Sequence, residues 1–430
     1  MSLNPHIAAS LRPLKVMIVD DSAVVRGLIS RWLEQEPDMV LAGLAIDGAK
    51  GIEKVREIQP DVLILDIEMP NMGGLEALPK LLAAKPGLKV LMASTLTTRG
   101  ANVTLRALEL GAADFIPKPD STRIGGADGF RTELLTKIRA LCGRTRSWPV
   151  PPSAGQNQSG PPSAGQNQIS PPSAGQPSAG GAPAPYHAPT PHTPYTPTAH
   201  GHSPSPAPSS VPSYTPAPRP VVVPITPTLR PRGTGPKRID ALFIGASTGG
   251  PPALRAFLLG LGPDWKLPIF VVQHMPATFT TILAEHLDKA LPMKVLEAKD
   301  GMPVESRHVY IAPGDFHMTV KGPLGLPTIK LDQGPQVNWC RPAVDPLFQS
   351  AASLYGNHAL AVVLTGMGHD GRDGASALVA ANASVMVQDE PTSVVWGMPG
   401  AIAEAGLAEI IKPIEGLSLA CKAFARGERP

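Results

Sequence analysis

Apolar and polar positions alternate regularly in the N-terminal third of the chain. Short apolar runs such as KVMIVD, DVLILD and KVLMAS are separated by stretches with helical spacing of apolar residues, such as SAVVRGLISRWLEQE and GLEALPKLLAAK. The pattern predicts five strands and five helices in alternation. Because this alternation is typical of a parallel sheet covered on both faces, we expect a flavodoxin-like (βα)5 domain here.

The same alternation returns in the C-terminal half of the chain. The apolar runs DALFIGAS, PIFVVQHM, ALAVVLTGMG and SVMVQDE read as strands, with helical patterns between them. A middle part rich in glycine and proline, VYIAPGDFHMTVKGPLGLPTIKL, is typical of short strands or hairpins. The pattern therefore predicts a second α/β domain, doubly wound around its own sheet.

Between these two regions the composition changes to proline, alanine and serine. The hexapeptide PPSAGQ occurs at Pro151, Pro161 and Pro171, and the stretch has few apolar side chains that could form a core. It is predicted to be a disordered linker that serves mainly as a tether, although its proline-rich pieces could also bind a partner. The expected organisation is an N-terminal extension, a first domain, a linker and a second domain, at residues 1–13, 14–145, 146–237 and 238–430.

Composition and charge exclude several classes of protein. The formal net charge is +3 over 430 residues, which does not favour binding to nucleic acid. The N-terminus lacks the pattern of a signal peptide, and no long apolar stretch predicts membrane insertion. The three cysteines, Cys142, Cys340 and Cys421, have neither disulfide nor zinc spacing and are expected to be reduced and mostly buried. We expect a cytoplasmic protein.

Acidic residues stand at the ends of two predicted strands in the first domain. Asp20 and Asp21 end the first strand and Asp66 ends the third. Carboxyl ends of parallel strands meet at one edge, and clustered carboxylates repel one another unless a cation compensates, most simply Mg²⁺. Ser94 ends the fourth strand and Lys118 follows the fifth, so a hydroxyl and an ammonium group are available there for phosphoryl oxygens.

These residues closely resemble a two-component receiver domain, through the motifs VDDS, LDIEMPNMGGLEAL, MAS and PKP. The resemblance implies that Asp66 takes a phosphoryl group from a phosphohistidine on a sensor histidine kinase. It also implies that Asp21, helped by Asp20 and the main chain near Glu68, holds Mg²⁺ together with Asp66. Three further positions correspond to the family's switch hydroxyl, switch aromatic residue and invariant lysine: Ser94, Phe115 and Lys118.

In the second domain, LFIGASTGG places Ser247 between an apolar strand and a predicted helix start. The neighbouring glycines permit a sharp turn, and N–H groups at a helix start can receive an oxyanion. A serine hydroxyl needs a base, and His274 follows the next strand in FVVQHMP. Asp370, after another apolar strand in VVLTGMGHDG, can orient the imidazole. The spacing favours this set of three as a catalytic triad over a serine that only fills a turn.

Other residues compete for the same roles. His317 and His369 are alternative bases, and Asp373 is an alternative acid. The chain order Ser–His–Asp differs from the Ser–Asp–His order of α/β-hydrolases, which disfavours that family.

The second domain also resembles a known family over almost its whole length, through motifs such as IGASTGGP, VYIAPGDFHM, RPAVDPLFQSAA and QDEPTSVVWGMPGA. It is similar to the catalytic domain of the chemotaxis protein-glutamate methylesterases, which also carry a receiver domain. By this resemblance Ser247, His274 and Asp370 are the triad, and Thr248 and Met367 lie near the oxyanion site.

The resemblance implies a response regulator, active as a monomer without a cofactor for the esterase chemistry. Phosphorylation of Asp66 would activate hydrolysis of glutamate methyl esters, and deamidation of glutamines, on cytoplasmic helices of chemoreceptors. Two other interpretations stay open: a non-catalytic response regulator that binds receptor helices, and a small-molecule esterase under kinase control. The long linker is expected to lower the effective concentration of the receiver at the esterase domain and so to weaken inhibition.

Overall fold

Five parallel strands form the N-terminal sheet, in the order β2-β1-β3-β4-β5. The computed structural model describes residues 12–118, 126–143, 229–231, 238–428 and 430. The strands of this sheet are β1 Leu14–Val19, β2 Met39–Ala45, β3 Val62–Asp66, β4 Lys89–Ser94 and β5 Asp114–Pro117. The helices between and after them are α1 Ala23–Glu34, α2 Gly48–Ile58, α3 Gly74–Ala84, α4 Thr98–Glu109 and α5 Gly126–Leu141. The predicted flavodoxin-like alternation is confirmed.

Side-chain caps fix where several of these helices begin. Ser22, Asp47 and Thr97 each accept a hydrogen bond from a backbone N–H in the first turn of the helix that follows. Such caps satisfy N–H groups that have no partner within the helix. The β1, β3 and β4 strands are buried almost throughout because helices cover both faces of the sheet, which explains their continuous apolar runs.

Seven parallel strands form the C-terminal sheet, in the order β14-β13-β12-β6-β7-β9-β8. Their bounds are β6 Ala241–Ala246, β7 Ile269–Gln273, β8 Lys294–Glu297, β9 His308–Ile311, β12 Ala359–Val363, β13 Ser384–Gln388 and β14 Ile410–Lys412. An antiparallel hairpin, β10 His317–Lys321 with β11 Thr328–Asp332, comes from the glycine- and proline-rich part, as predicted. The helices are α6 Gly250–Leu261, α7 Ala277–Ala290, α8 Val344–Tyr355, α9 Arg372–Ala380, α10 Met398–Glu404 and α11 Ile414–Ala425.

The core of this domain lies on both faces of the sheet. Phe257 of α6, Phe279 of α7 and Phe424 of α11 are buried on one face, and Phe348 of α8 and Ile402 of α10 on the other. The sheet is therefore doubly wound, as predicted. Its first strand, β6, is flanked by β7 on one side and β12 on the other, so the chain reverses direction across the sheet at β6. Ligands of such sheets bind at the carboxyl ends of the strands where this reversal occurs.

Helix α4 of the receiver packs against α6 and α7 of the C-terminal domain. Within the described ranges, no helix is long and apolar enough to cross a membrane.

The predicted linker lies outside the described residues except for residues 229–231. There Arg230 donates its N–H to the Ala408 carbonyl and its guanidinium to the Ala383 carbonyl. This part of the predicted linker is thus bound to the C-terminal domain.

Candidate functional site

Ser247 lies at the carboxyl end of β6, directly before the turn that leads into α6. Its N–H donates to the Thr365 carbonyl at 3.1 Å, and Gln273 Nε2 donates to its carbonyl at 2.9 Å. Gly249, two residues later, has φ +74°, which only glycine adopts readily. These contacts hold the serine on a tight turn with its side chain half-buried at the sheet edge.

His274 follows β7, the strand beside β6, and pairs with Asp370. Its Nε2 lies 2.8 Å from Asp370 Oδ2. Asp370 comes seven residues after β12, the other neighbour of β6, and is almost fully buried. The three sequence-predicted residues thus follow three adjacent strands of one sheet. Nδ1 is the ring nitrogen that does not face Asp370, and within the described residues no hydrogen bond joins Ser247 Oγ to His274.

The Asp370 carboxylate is held by four hydrogen-bond donors besides His274. The backbone N–H groups of Val344, Asp345 and Gly371 donate to it, and so does the Asn338 side-chain amide at 3.0 Å. Burial favours the neutral acid, but these donors and His274 outweigh it and lower the pKa of Asp370 to about 2. The group is therefore an anion that can orient and stabilise an imidazolium.

A second buried carboxyl group, Asp345, lies beside Asp370 and was not singled out from the sequence. The Asn338 amide donates to Asp345 Oδ2 at 2.8 Å as well as to Asp370, and the Gly374 N–H donates to Asp345 Oδ1 at 2.6 Å. Burial and the charge of Asp370 raise the pKa of Asp345 to about 6. Asn338 thus connects two acids whose environments push their pKa values apart.

Cys340 lies beside the other nitrogen of His274, with its sulfur 3.5 Å from Nδ1. Burial lowers the pKa of the imidazole, but the interactions with Cys340 and Asp370 outweigh it and raise the pKa of His274 to about 10. The sequence predicted only that this thiol is reduced and mostly buried. It is instead partly exposed and in contact with the candidate base.

Of the two residues predicted near an oxyanion site, Thr248 directly follows Ser247, and Met367 directly follows Gly366. Thr248 lies two residues before α6 begins at Gly250. No described residue accepts a hydrogen bond from its N–H. A Cβ built on Gly366, the residue before Met367, would lie 2.9 Å from Ser247 Cβ, so this loop touches the serine. The N–H groups at the start of α6 can stabilise a negative charge that develops beside Ser247.

The competing residues occupy other environments. His317 is buried and bonded to backbone only, through the Pro335 carbonyl and the Ala343 N–H. Asp373 is exposed and pairs with Arg372. His369 precedes Asp370, and no described residue accepts or donates a hydrogen bond to its ring. None of the three replaces His274 or Asp370 in the arrangement around Ser247.

At the receiver sheet, Asp20, Asp21 and Asp66 are brought together, with one carboxylate oxygen of each within 4.8 Å of the others. Lys118 Nζ contacts Asp20 Oδ2 at 2.9 Å and Asp66 Oδ2 at 2.8 Å. Burial raises the pKa of Asp66 although Lys118 acts in the opposite direction. Three carboxylates facing one ammonium leave excess negative charge, and oxygen donors of this kind suit a divalent cation such as Mg²⁺.

Two other predicted receiver residues, Ser94 and Glu68, differ in their relation to the acidic cluster. Ser94 is buried and accepts a hydrogen bond from Thr104 Oγ1 at 2.7 Å, while the neighbouring Thr95 lines the acidic pocket. Glu68 also lines that pocket, but its carboxylate is exposed and lies 3.8 Å from Arg99. The Glu68 side chain is therefore not among the clustered carboxylates.

Phe115 and Asp114 of β5 contact the C-terminal domain directly. The ring of Phe115 stacks on that of Phe279, with centroids 4.5 Å apart. Asp114 Oδ2 accepts a hydrogen bond from Thr248 Oγ1 at 2.9 Å and pairs with Lys137 Nζ at 2.8 Å. The strand that carries the predicted switch aromatic therefore touches the residue next to Ser247.

Comparisons with known proteins agree with this two-part arrangement. Residues 16–125 match the model of the response regulator receiver domain, and residues 242–420 match that of the CheB methylesterase. A protein-glutamate methylesterase/protein-glutamine glutaminase of Caulobacter vibrioides is 47% identical over 403 residues, covering 94% of this chain and 96% of its own. That of Maricaulis maris is 46% identical over 409 residues, covering 95% of each chain.

The chain belongs to the CheB methylesterase family. Among solved structures, the CheB methylesterase catalytic domain of Thermotoga maritima is 39% identical, covers 44% of this chain and 98% of its own, and has a TM-score of 0.42. The prediction of a chemotaxis methylesterase/glutaminase preceded by a receiver domain is confirmed at the level of the family. Four neighbours of the candidate triad were identified by the structure and not by the sequence: Gln273, Asn338, Cys340 and Asp345.

Proposed function

We propose that this chain hydrolyses glutamate methyl esters, and deamidates glutamines, on the cytoplasmic helices of chemoreceptors, under the control of phosphorylation at Asp66. One observation carries the proposal: Ser247, His274 and Asp370 follow three adjacent strands, and His274 Nε2 lies 2.8 Å from Asp370. The relatives named protein-glutamate methylesterase support the substrate class. We propose residues 14–145 as the receiver and residues 238–430 as the catalytic domain of a cytoplasmic monomer.

In the acylation step, Ser247 Oγ attacks the carbonyl carbon of the glutamyl ester and gives its proton to His274 Nδ1. Asp370 stabilises the imidazolium through Nε2, and the Thr248 N–H donates to the oxyanion of the tetrahedral intermediate. The imidazolium returns the proton to the departing oxygen, the C–O bond breaks and methanol leaves. With a glutamine substrate the same proton goes to nitrogen and ammonia leaves.

In the deacylation step, water attacks the glutamyl-Ser247 ester. His274 Nδ1 takes a proton from the water and then gives it to Ser247 Oγ as the acyl–oxygen bond breaks. The product is a glutamate side chain and the enzyme is regenerated. In the proposed steps, side chains and backbone groups of this chain act on the substrate and on the attacking water.

The receiver site is proposed to accept a phosphoryl group from a sensor histidine kinase on Asp66. Asp20, Asp21 and Asp66, with the main chain near Glu68, would hold Mg²⁺, which compensates phosphoryl charge. Lys118, now between Asp20 and Asp66, would pair with a phosphoryl oxygen. Phosphorylation adds about −1.5 to −2 charge, and we propose that movement of Ser94 and Phe115 then weakens the contact with the catalytic domain.

The resting contact explains how the receiver would restrain the esterase. Phe115 packs on Phe279, and Asp114 holds the hydroxyl of Thr248 beside the nucleophile. A receptor helix bundle that presents its ester to Ser247 must approach this edge of the sheet. Release of the receiver would therefore expose the edge to a large substrate.

Methanol release from methylated receptor membranes tests the proposal. The wild type is measured with and without Mg²⁺ and a small phosphodonor, beside Ser247→Ala and Asp66→Asn. We expect stimulation of the wild type by the phosphodonor only with Mg²⁺, loss of all release in Ser247→Ala, and unstimulated release in Asp66→Asn. Absence of methanol from the wild type in every condition, or full release by Ser247→Ala, would overturn the proposal.

A further inference from the structure

A tight hairpin turn stands beside the candidate active site. Val337 and Cys340 exchange two backbone hydrogen bonds, of 3.1 and 2.9 Å, which close a two-residue turn formed by Asn338 and Trp339. Both turn residues have positive φ, +52° and +64°. Positive φ at both central residues is the requirement of type I′ hairpin turns, which strongly favour Asn-Gly.

Trp339 therefore occupies a position at which glycine is the favoured residue. A bulky side chain at positive φ is strained, and such strain is concentrated at functional positions. The strain is not offset by burial, since 78% of the Trp339 surface is exposed. Among the exposed large apolar residues of the described ranges it is matched in exposure by Leu326 and Val24. The fold gives no packing reason for an indole at this position.

The turn is fixed to the catalytic groups on both sides of Trp339. On one side, the Asn338 amide donates to Asp345 and Asp370. On the other side, the Cys340 sulfur lies 3.5 Å from His274 Nδ1. The indole is therefore held at the rim of the active site by residues that contact the candidate base and its acid partner.

The receiver contacts a different part of this rim. Its contacts involve Thr248, through Asp114, and Val395, which is buried in one cluster with receiver side chains. Met367 and Val394 pack against the same cluster. Trp339 keeps its exposure in this arrangement, so its ring is available to a molecule that enters when the receiver leaves.

We propose that Trp339 contacts the substrate helix of the receptor next to the ester being hydrolysed, and so selects a protein substrate over a small ester. The proposal rests on the function proposed above. A rigid indole offers a large contact area at low cost in conformational entropy, and exposed tryptophans dominate many protein contacts. Its flat face suits the aliphatic stems of glutamate, glutamine and methyl-glutamate side chains on a helix. A small ester at Ser247 carries no helix side chains to pack on the ring and should gain little from it.

The test compares two substrates in phosphodonor-activated full-length protein. For each variant, kcat/KM is measured with methylated receptor membranes and with p-nitrophenyl acetate, and the ratio of the two values is the readout. Trp339→Gly places the favoured residue in the turn and should keep or raise the melting temperature. We expect the ratio to fall at least about tenfold in Trp339→Gly and less in Trp339→Phe, as for loss of a hot-spot aromatic side chain.

Leu326→Gly is the matched control, because Leu326 is equally exposed on the β10–β11 hairpin and outside the site. Its ratio should equal that of the wild type. An unchanged ratio in Trp339→Gly, or an equal fall in Leu326→Gly, would overturn the assignment. The ratio can be interpreted only if the wild type releases methanol. A wild type that releases none would contradict the proposed function and not the assignment of Trp339.

Discussion

Thr248 Oγ1 donates a hydrogen bond of 2.9 Å to Asp114 Oδ2, joining the neighbour of Ser247 to the receiver strand that carries Phe115. Asp114 is itself fixed by the partly buried Lys137 ammonium at 2.8 Å. The bond is thus charge-assisted and buried, and it connects the two domains close to the reacting groups.

Replacing Thr248 by valine should activate the unphosphorylated protein. Valine keeps the shape and the backbone N–H but removes the donor to Asp114. A hydrogen bond to a charged group contributes about 1.5–3 kcal/mol, so basal methanol release should rise about tenfold or more. The phosphodonor-activated rate should change little, because the domains are then already apart.

The control for this prediction is Thr319→Val, the same change on β10, where the hydroxyl donates to the Lys330 carbonyl. Its basal and activated rates should match those of the wild type. If Thr248→Val instead kept the basal rate and lowered the activated one, the hydroxyl would serve the chemistry and not the domain contact.

The pH dependence of the esterase should reflect the raised pKa of His274. The base is competent when neutral, that is, above its pKa, and Cys340 and Asp370 raise that pKa to about 10. For the phosphodonor-activated protein, kcat/KM should therefore increase through about pH 7 to 9, by up to tenfold per pH unit. Rates with p-nitrophenyl acetate, corrected with Ser247→Ala, measure this profile.

Cys340→Ala should shift the same profile to lower pH. Removing the sulfur beside Nδ1 removes one of the two contacts that raise the His274 pKa, so the neutral base forms at lower pH and the rate at neutral pH increases. Cys142→Ala, a thiol in the receiver, is the control and should leave the profile unchanged. A uniform change at all pH values in Cys340→Ala would show that the thiol acts in another way.

Asn338→Ala should impair turnover more than binding. The amide donates to both Asp345 and Asp370, and without it the two buried carboxyl groups face each other with fewer donors. We expect kcat to fall about tenfold or more, with a smaller change in KM, since hydrogen bonds to charged groups contribute about 1.5–3 kcal/mol.

A positioning role predicts a second effect of Asn338→Ala: the pair of acids retains a proton to higher pH, and the His274 pKa falls. Gln333→Ala is the control, since Gln333 lies in the same loop but donates to Asp315. A fall in kcat with an unshifted pH profile would indicate that Asn338 only supports the loop.

Gly249→Ala should destabilise the turn after Ser247. Alanine at φ +74° is strained, and its Cβ would lie 2.5 Å from Val394 Cγ2. Gly301→Ala separates the two effects, since Gly301 has φ +73° but no neighbouring atom within 4 Å of its Cβ position. Thermal unfolding should show a larger loss for Gly249→Ala, accompanied by loss of hydrolysis. Equal melting temperatures of the two variants would mean that the contact with Val394 is relieved at no cost.

Much of the candidate site could be predicted because it stands at strand ends. Apolar runs locate the strands, and the polar residue after each run then lies at one edge of the sheet, as for Asp66, Ser247 and His274. Asn338 and Asp345 could not be predicted as site residues. Asn338 lies in a turn and Asp345 in the first turn of α8, and at neither place does the apolar periodicity indicate which side chain reaches the site.

The contact between the domains also escaped prediction. In the sequence, Asp114 is one polar residue of a short strand. The apolar pattern of one domain does not indicate which of its surfaces contacts the other domain. The burial of Ser94 against Thr104 is likewise a consequence of side-chain packing between β4 and α4, which the spacing of apolar residues does not encode.

Through the hydrogen bond between Thr248 and Asp114, the catalytic site should also influence the receiver. If phosphorylation of Asp66 weakens this contact, thermodynamic linkage requires that anything favouring the separated domains at Ser247 also favours the phosphorylated receiver. A phosphonate attached covalently to Ser247 should therefore increase the affinity of the receiver for a phosphoryl mimic such as beryllofluoride. Receptors rich in methyl esters would in this way help to keep the enzyme that demethylates them switched on.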